Sequence, residues 1–166
     1  MIDEQKNTVV LSKEILQEID TWVEKYPPDQ KQSAVLFALT LVQEKHGGWL
    51  TEALMDAVAD YLGMPRVAVY EVATFYSMYD LKPVGRHKIH VCNNISCMLR
   101  NSDEVIQHLE NKLDIKVGQT TADGKFTLKT AECLAACANA PMMQIDKTYY
   151  EDLTKEKIDK ILEQFD

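Results

Sequence analysis

Four cysteines are the residues of this chain whose type and spacing point to chemistry. They follow the pattern C-x4-C, then 35 residues, then C-x3-C, and they are Cys92, Cys97, Cys133 and Cys137. The second pair lies in ECLAACANAP, where no histidine or cation stands beside either thiol. Reactive thiols usually have their pKa lowered by such a neighbour or by a helix N-terminus. A bound metal deprotonates its thiols without that help, so the pattern predicts a metal site.

Zinc and an iron–sulfur cluster are the two candidates for that site. Zinc sites with four cysteines usually contain C-x2-C pairs, which this chain lacks. The C-x4-C spacing also occurs in plant-type proteins that carry a [2Fe–2S] cluster. The spacing therefore favours a [2Fe–2S] cluster and leaves zinc open. The alanines of the second pair would let backbone N–H groups approach the sulfurs, and the acidic chain predicts a low reduction potential.

The second half of the chain supplies the elements that must position these cysteines. Alternation in HKIHV predicts a strand that ends at Cys92, and Ser102 is expected to cap the helix that follows. Asp123-Gly124 predicts the turn of a hairpin over residues 119–130. A strand over 142–145 and a helix that starts at Thr154 complete the pattern. Each cysteine pair then lies in a loop, the first directly after a strand and the second between strands.

The first half of the chain has the periodicity of helices. Their predicted ranges are 12–26, 30–45, 52–62 and 65–81, with Ser12 and Thr51 as N-caps. The last of these is apolar on nearly all sides, so we expect it to be covered on several sides. Residues 1–11 are polar and are expected to be disordered. Lys82-Pro83-Val84-Gly85 has the composition of a linker between the two halves.

Composition describes an ordinary globular protein. The 166 residues are 46% hydrophobic and 27% charged, which fits one domain or two small ones. The net charge is −8 and the basic residues are scattered among acidic ones, so nucleic acid is not an expected partner. No apolar run is long enough to cross a bilayer, and the N-terminus resembles neither a signal nor a transit peptide. We expect a cytoplasmic protein with no direct membrane insertion.

Several separate motifs, in order along the chain, resemble one protein family. They are HGGWL at 46–50, EVATFYSMY at 71–79, PVGRHKIHVC at 83–92, CNNISCMLRNSDEV at 92–105, ECLAACANAPMMQID at 132–146 and YYEDLT at 149–154. They are similar to the thioredoxin-like [2Fe–2S] subunit of NADH-quinone oxidoreductase, respiratory complex I, known as the 24-kDa-type subunit. The resemblance covers nearly the whole chain.

The resemblance implies an α+β fold in which an N-terminal helical bundle, residues 1–82, precedes a thioredoxin-like α/β domain, residues 83–166. It implies that Cys92 and Cys97 hold one iron of a [2Fe–2S] cluster, and that Cys133 and Cys137 hold the other. No catalytic acid or base is expected. The family commonly has glycine at the position of Ala135, and we expect that Ala135→Gly keeps the cluster.

The resemblance also implies partners. The chain would contact the flavin-bearing, NADH-binding subunit and other peripheral-arm subunits, on the cytoplasmic face of the inner membrane. FMN and NAD would be bound only by the partner subunit, and this chain would accept one electron from the reduced FMN. Equivalent subunits of NAD-linked formate dehydrogenases and NAD-reducing hydrogenases share the cysteine pattern and remain open. A structural zinc adaptor with four cysteine ligands and a free ferredoxin also remain open.

Overall fold

The computed structural model describes residues 10–165, and it divides the chain into two compact units between Pro83 and Val84. Most of the predicted disordered segment, residues 1–9, lies outside the described residues. Leu11 is buried in the first unit. The described helices include none that is long and apolar enough to span a lipid bilayer.

The described part of the first unit is helical. Its α-helices are α1 (Lys13–Val23), α2 (Val35–Lys45), α3 (Glu52–Leu62) and α4 (Arg66–Phe75), and a 3₁₀ turn, Lys31–Ala34, precedes α2. The predicted N-caps are confirmed, because the Ser12 hydroxyl accepts from Ile15 N–H and the Thr51 hydroxyl accepts from Leu54 N–H. The apolar stripes of the helices share one buried core, in which Ile19, Leu39 and Val58 are fully buried.

Helix α4 is shorter than the sequence predicts. It ends at Phe75, because Tyr76 adopts an extended backbone, and the predicted continuation to residue 81 is wrong. Only Val69 and Ala73 are buried within it, while the Phe75 side chain is 80% exposed. The segment that follows is held by Gln43, whose side chain accepts from Asp80 N–H and donates to the Met78 carbonyl. Because this contact joins residues far apart in the chain, local periodicity could not locate the end of α4.

The second unit contains a four-stranded mixed sheet and three α-helices within the described residues. The strands are β1 (His87–Cys92), β2 (Phe126–Ala131), β3 (Met143–Ile145) and β4 (Thr148–Tyr150), in the spatial order β2-β1-β3-β4. Strands β1 and β2 are parallel, and the other pairs are antiparallel. The helices are α5 (Ile95–Met98), α6 (Ser102–Leu113) and α7 (Lys155–Leu162). Helices followed by a sheet confirm the predicted α+β class.

The predicted hairpin over 119–130 forms. Gly124 makes the turn, with its N–H donating to the Thr121 carbonyl, and the first arm is hydrogen-bonded to β2 through Thr121 N–H to the Phe126 carbonyl and Leu128 N–H to the Gln119 carbonyl. Strand β2 also pairs with β1 on its other side, and strand β4 was not predicted. Ser102 is also not the cap of α6: it is the first helical residue, and Asn101 precedes it in a left-handed conformation. The cap of α7 by Thr154 is confirmed.

Candidate metal centre

Both cysteine loops begin at the same end of the sheet, where β1 and β2 have their carboxyl ends. Cys92 is the last residue of β1 and lies opposite Ala131, the last residue of β2, in a parallel pairing. The Asn93 N–H donates to the Ala131 carbonyl at 3.1 Å, which extends the pairing by one residue, and Cys133 follows two residues after Ala131. Because β1 and β2 run in the same direction, their carboxyl ends bring the two loops together. Ligand sites of α/β sheets lie outside the carboxyl ends of their strands.

The segment from Cys92 at the end of β1 to Cys97 in α5, which we call the first loop, buries both of its cysteines, although the sequence predicted that the pair lies in a loop rather than in a strand or helix. The side chain of Asn94 accepts from Ile95 N–H at 2.8 Å and caps the short helix α5, which contains Cys97. Cys92 and Cys97 are only 3% and 1% exposed and pack with Ala140 and Met142. The backbone of Met142 also accepts a hydrogen bond from Cys92 N–H at 3.2 Å.

Cys97 is strongly affected by this environment. Burial, and then a hydrogen bond with the Cys92 side chain, raise the pKa of the Cys97 thiol to about 11. The nearby Cys137 side chain also contributes to the raised pKa. A thiol with this pKa is protonated at neutral pH and is a poor nucleophile, whereas a coordinated metal would deprotonate it. The burial of Cys97 therefore favours a role as a ligand over a role as a reactive thiol.

The second loop leaves its two cysteines exposed. Cys133 and Cys137 are free and solvent-accessible, while Leu134 and Ala136 between them pack against the buried cluster that contains Cys92, Cys97, Ala140 and Met142. Ala135 adopts a left-handed backbone with φ of +59°, and its N–H donates to the sulfur of Cys133 at 3.3 Å. The sequence predicted that backbone N–H groups approach the sulfurs, but it contains no signal for this difference in exposure.

The backbone after the second pair is tied into the rest of the unit. Cys137 opens a 3₁₀ turn, Cys137–Asn139, and a cis peptide bond joins Ala140 to Pro141. The Asn139 carbonyl accepts from Asp152 N–H at 2.8 Å, and the Pro141 carbonyl accepts from Leu153 N–H at 3.0 Å. The exposed cysteines therefore lie on a loop whose far end is anchored by backbone hydrogen bonds.

The donor set fits a [2Fe–2S] cluster, which takes four cysteine thiolates. All four cysteines are free, and Cys92 and Cys97 lie in one buried cluster. Within residues 10–165, His, Cys, Asp and Glu side chains form no group of three or more that could hold a single metal ion. The buried side-chain oxygen of Asn93 has no hydrogen-bond partner.

The surface beside the buried pair is apolar. Ile95, Met98 and Leu99 are large hydrophobic residues of the first loop, and Ile95 and Leu99 are 66% and 74% exposed. They lie at positions i, i+3 and i+4, but this spacing alone does not tell from the sequence whether they face the core or the solvent. We call these three residues the apolar rim. An exposed apolar surface of this kind is typical of an interaction site.

Comparison with known families matches most of the chain. The profile of the family described as thioredoxin-like [2Fe-2S] ferredoxin matches residues 19–166. The E subunit of NADH-quinone oxidoreductase from Rickettsia typhi is 48% identical over 158 residues, which cover 95% of this chain and 93% of that protein. The mitochondrial NADH dehydrogenase [ubiquinone] flavoprotein 2 of Dictyostelium discoideum is 42% identical over 153 residues, covering 92% of this chain and 62% of that protein.

A solved structure shares the fold at low sequence identity. The H2-reduced NAD+-reducing [NiFe]-hydrogenase contains a chain that superposes with a TM-score of 0.67 at 21% identity. The match covers 76% of this chain but only 21% of that much longer chain. At this identity the likeness establishes the arrangement of helices and strands alone.

Proposed function

Because this chain belongs to the thioredoxin-like [2Fe-2S] ferredoxin family, and within it to the E subunits of NADH-quinone oxidoreductases, we propose that it is an electron-transfer subunit of such a complex. It carries a [2Fe–2S] cluster, which supplies one-electron redox chemistry when bound. The observation that carries the proposal is the meeting of two cysteine loops at the carboxyl ends of β1 and β2.

Each cysteine pair holds one iron in this proposal. Cys92 and Cys97 bind the inner iron from the buried first loop, and Cys133 and Cys137 bind the outer iron from the exposed second loop. Leu134 and Ala136 keep the second loop packed on the first. Residues 83–166 act as the cluster domain, and residues 1–82 act as a separate helical domain.

The electron donor is the reduced FMN of a partner subunit that oxidises NADH. The partner binds NADH and FMN, so this chain needs neither a nucleotide site nor a catalytic acid or base. The apolar rim supports contact with a partner subunit, because Ile95, Met98 and Leu99 are exposed hydrophobic residues in the segment that carries the buried cysteines. The complex places the chain at the cytoplasmic face of the inner membrane.

Iron and sulfide analysis of the full chain, purified anaerobically, tests the cluster and its ligands. We expect two irons and two sulfides per chain and a visible spectrum that bleaches with dithionite, as one-electron reduction of a [2Fe–2S] cluster requires. Cys97→Ser should lose iron, whereas Ser96→Ala in the same loop should retain it. Normal iron content in Cys97→Ser would refute the ligand assignment. A colourless protein with one zinc would instead support the structural adaptor.

Co-purification with the flavin subunit tests the partner. Leu99→Glu places a charge on the apolar rim, and we expect it to abolish co-purification while iron content stays unchanged. Val117 is an exposed apolar residue of the same unit that lies outside the rim, so Val117→Glu is the matched control. Unimpaired association of Leu99→Glu would contradict the placement of the partner on the rim.

A second assignment rests on the cysteine pattern, which equivalent subunits of other NAD-linked complexes share. The chain would then be the equivalent subunit of an NAD-reducing hydrogenase or an NAD-linked formate dehydrogenase, with the same cluster. The subunits that co-purify from native cells decide between these assemblies, because the distinguishing catalytic centres lie on other chains.

A further inference from the structure

Ala135 has a backbone conformation that its residue type disfavours. Its φ is +59°, and a side chain with a Cβ crowds the following carbonyl in this left-handed region. The other non-glycine residues with positive φ among residues 10–165 are all asparagine or aspartate, which tolerate that region: Asn101, Asp114, Asp146 and Asp152. Ala135 is therefore the exception, and it lies between two of the cysteines.

The conformation joins two features of the loop. The Ala135 N–H donates to the Cys133 sulfur at 3.3 Å. The Ala135 N–H belongs to the peptide group before Ala135, and φ is the rotation between that peptide group and the chain that leads to Cys137. With the left-handed φ, the N–H can point at the Cys133 sulfur while the chain continues to Cys137. With a right-handed or extended φ and Cys137 in the same place, that peptide group would have to rotate, and the hydrogen bond to the sulfur would be lost.

We propose that Ala135 is a positioning residue that raises the reduction potential of the cluster through its backbone N–H. This inference rests on the proposed function, because it requires Cys133 to ligate iron. Reduction adds an electron, and the added negative charge is shared by the ligand sulfurs. An N–H donor at Cys133 stabilises the reduced form more than the oxidised form, and such hydrogen bonds are known determinants of cluster potentials.

The surroundings of Cys133 favour a measurable effect of this hydrogen bond on the reduction potential. Cys133 is solvent-exposed, unlike Cys92 and Cys97, and the Ala135 N–H is a fixed donor at its sulfur. A donor held by the backbone keeps its position during reduction, whereas water must reorient. Ala135 is exposed, so a substitution at this position changes the backbone preference without removing core packing.

Spectroelectrochemical titration of the full chain with its cluster tests the proposal. Ala135→Val introduces a β-branched residue that does not hold a left-handed backbone, and we expect its midpoint potential to become more negative than wild type. Ala135→Asn, the residue type that the chain uses at Asn101, should keep the wild-type potential. Ala138→Val is the matched control, because Ala138 is an exposed alanine of the same loop without a positive φ.

Two results of the titration would overturn the proposal. One is a potential of Ala135→Val equal to that of Ala138→Val. The other is a shift in Ala135→Asn as large as that in Ala135→Val, since side-chain size rather than φ would then be responsible. If the wild-type chain contains no iron and sulfide, the proposed function itself fails, and that result is read before any potential is measured.

Pulsed EPR keeps the proposal testable even if Ala135→Val binds no iron. The wild-type chain and Ala135→Gly are both labelled with ¹⁵N on alanine and reduced with dithionite. Glycine readily adopts positive φ, so Ala135→Gly should retain the cluster and its potential. A ¹⁵N coupling present in wild type and absent in Ala135→Gly would assign the hydrogen bond to residue 135. Identical ¹⁵N couplings in the two proteins would refute it.

Discussion

Gly85→Ala should destabilise the cluster-bearing unit at the start of β1. A Cβ added to Gly85 would lie 2.8 Å from the Lys125 carbonyl oxygen and 2.9 Å from the carbonyl carbons of Lys125 and Phe126. All three atoms belong to the backbone beside β2, so no side chain can move aside. The Gly85 N–H also donates to the Thr127 hydroxyl at 2.6 Å, in a buried position.

Two costs add up in this variant. Forcing an extra methyl group into a packed site costs about 1–3 kcal/mol, and leaving a buried hydrogen-bonding group unpaired costs a further ~1–3 kcal/mol. We therefore expect the free energy of opening β1 from β2 to fall by roughly 2–6 kcal/mol. At about 1.4 kcal/mol per factor of ten, amide exchange should accelerate between roughly 30-fold and 20,000-fold.

Native-state hydrogen exchange with mass spectrometry on the full chain measures this effect in peptides that cover β1 and β2. Gly124→Ala is the control, because Gly124 has φ of +67° and no atom within 4 Å of an added Cβ, so only backbone strain of about 1–2 kcal/mol is expected. Peptides from the first unit provide the internal reference. If Gly85→Ala accelerates exchange no more than Gly124→Ala, the steric reasoning is wrong.

Three further substitutions test the packing and electrostatics of the two units. Leu109→Ala, at a fully buried site, should lower the free energy of unfolding by about 2–5 kcal/mol in urea titrations. The hydrogen bond with His108 is the largest cause of the lowered pKa of Asp159, so Asp159→Asn should destabilise at neutral pH. The difference from wild type should shrink as pH falls below the ordinary aspartate pKa of about 4 and vanish below the lowered pKa. The hydrogen bond to Asp56 is the main cause that raises the pKa of Tyr70 to about 12. Tyr70→Phe should therefore remove one phenol that titrates near that pH and lower the free energy of unfolding by ~1 kcal/mol. An unchanged ultraviolet titration would contradict the last expectation.

Local signals in the sequence predicted the elements that local forces dominate. The N-caps Ser12, Thr51 and Thr154 were identified because each hydroxyl satisfies an amide three residues away. The end of α4 at Phe75 was missed, because it depends on hydrogen bonds of Gln43 with a segment more than thirty residues later. The parallel pairing of β2 with β1, beside the predicted hairpin, also depends on a distant partner.

The candidate site divides in the same way. The four cysteines, their grouping into two pairs and the chemistry that their number favours follow from the chain itself, because ligand type and spacing are properties of the sequence. Burial of the first pair and exposure of the second come from the folded arrangement, since burial depends on which elements cover each loop. The parallel pairing of β1 with β2 likewise places the starts of the two loops together at the carboxyl ends of these strands. The left-handed backbone at Ala135 belongs to this second group, because alanine adopts that conformation only when the loop around it requires the turn.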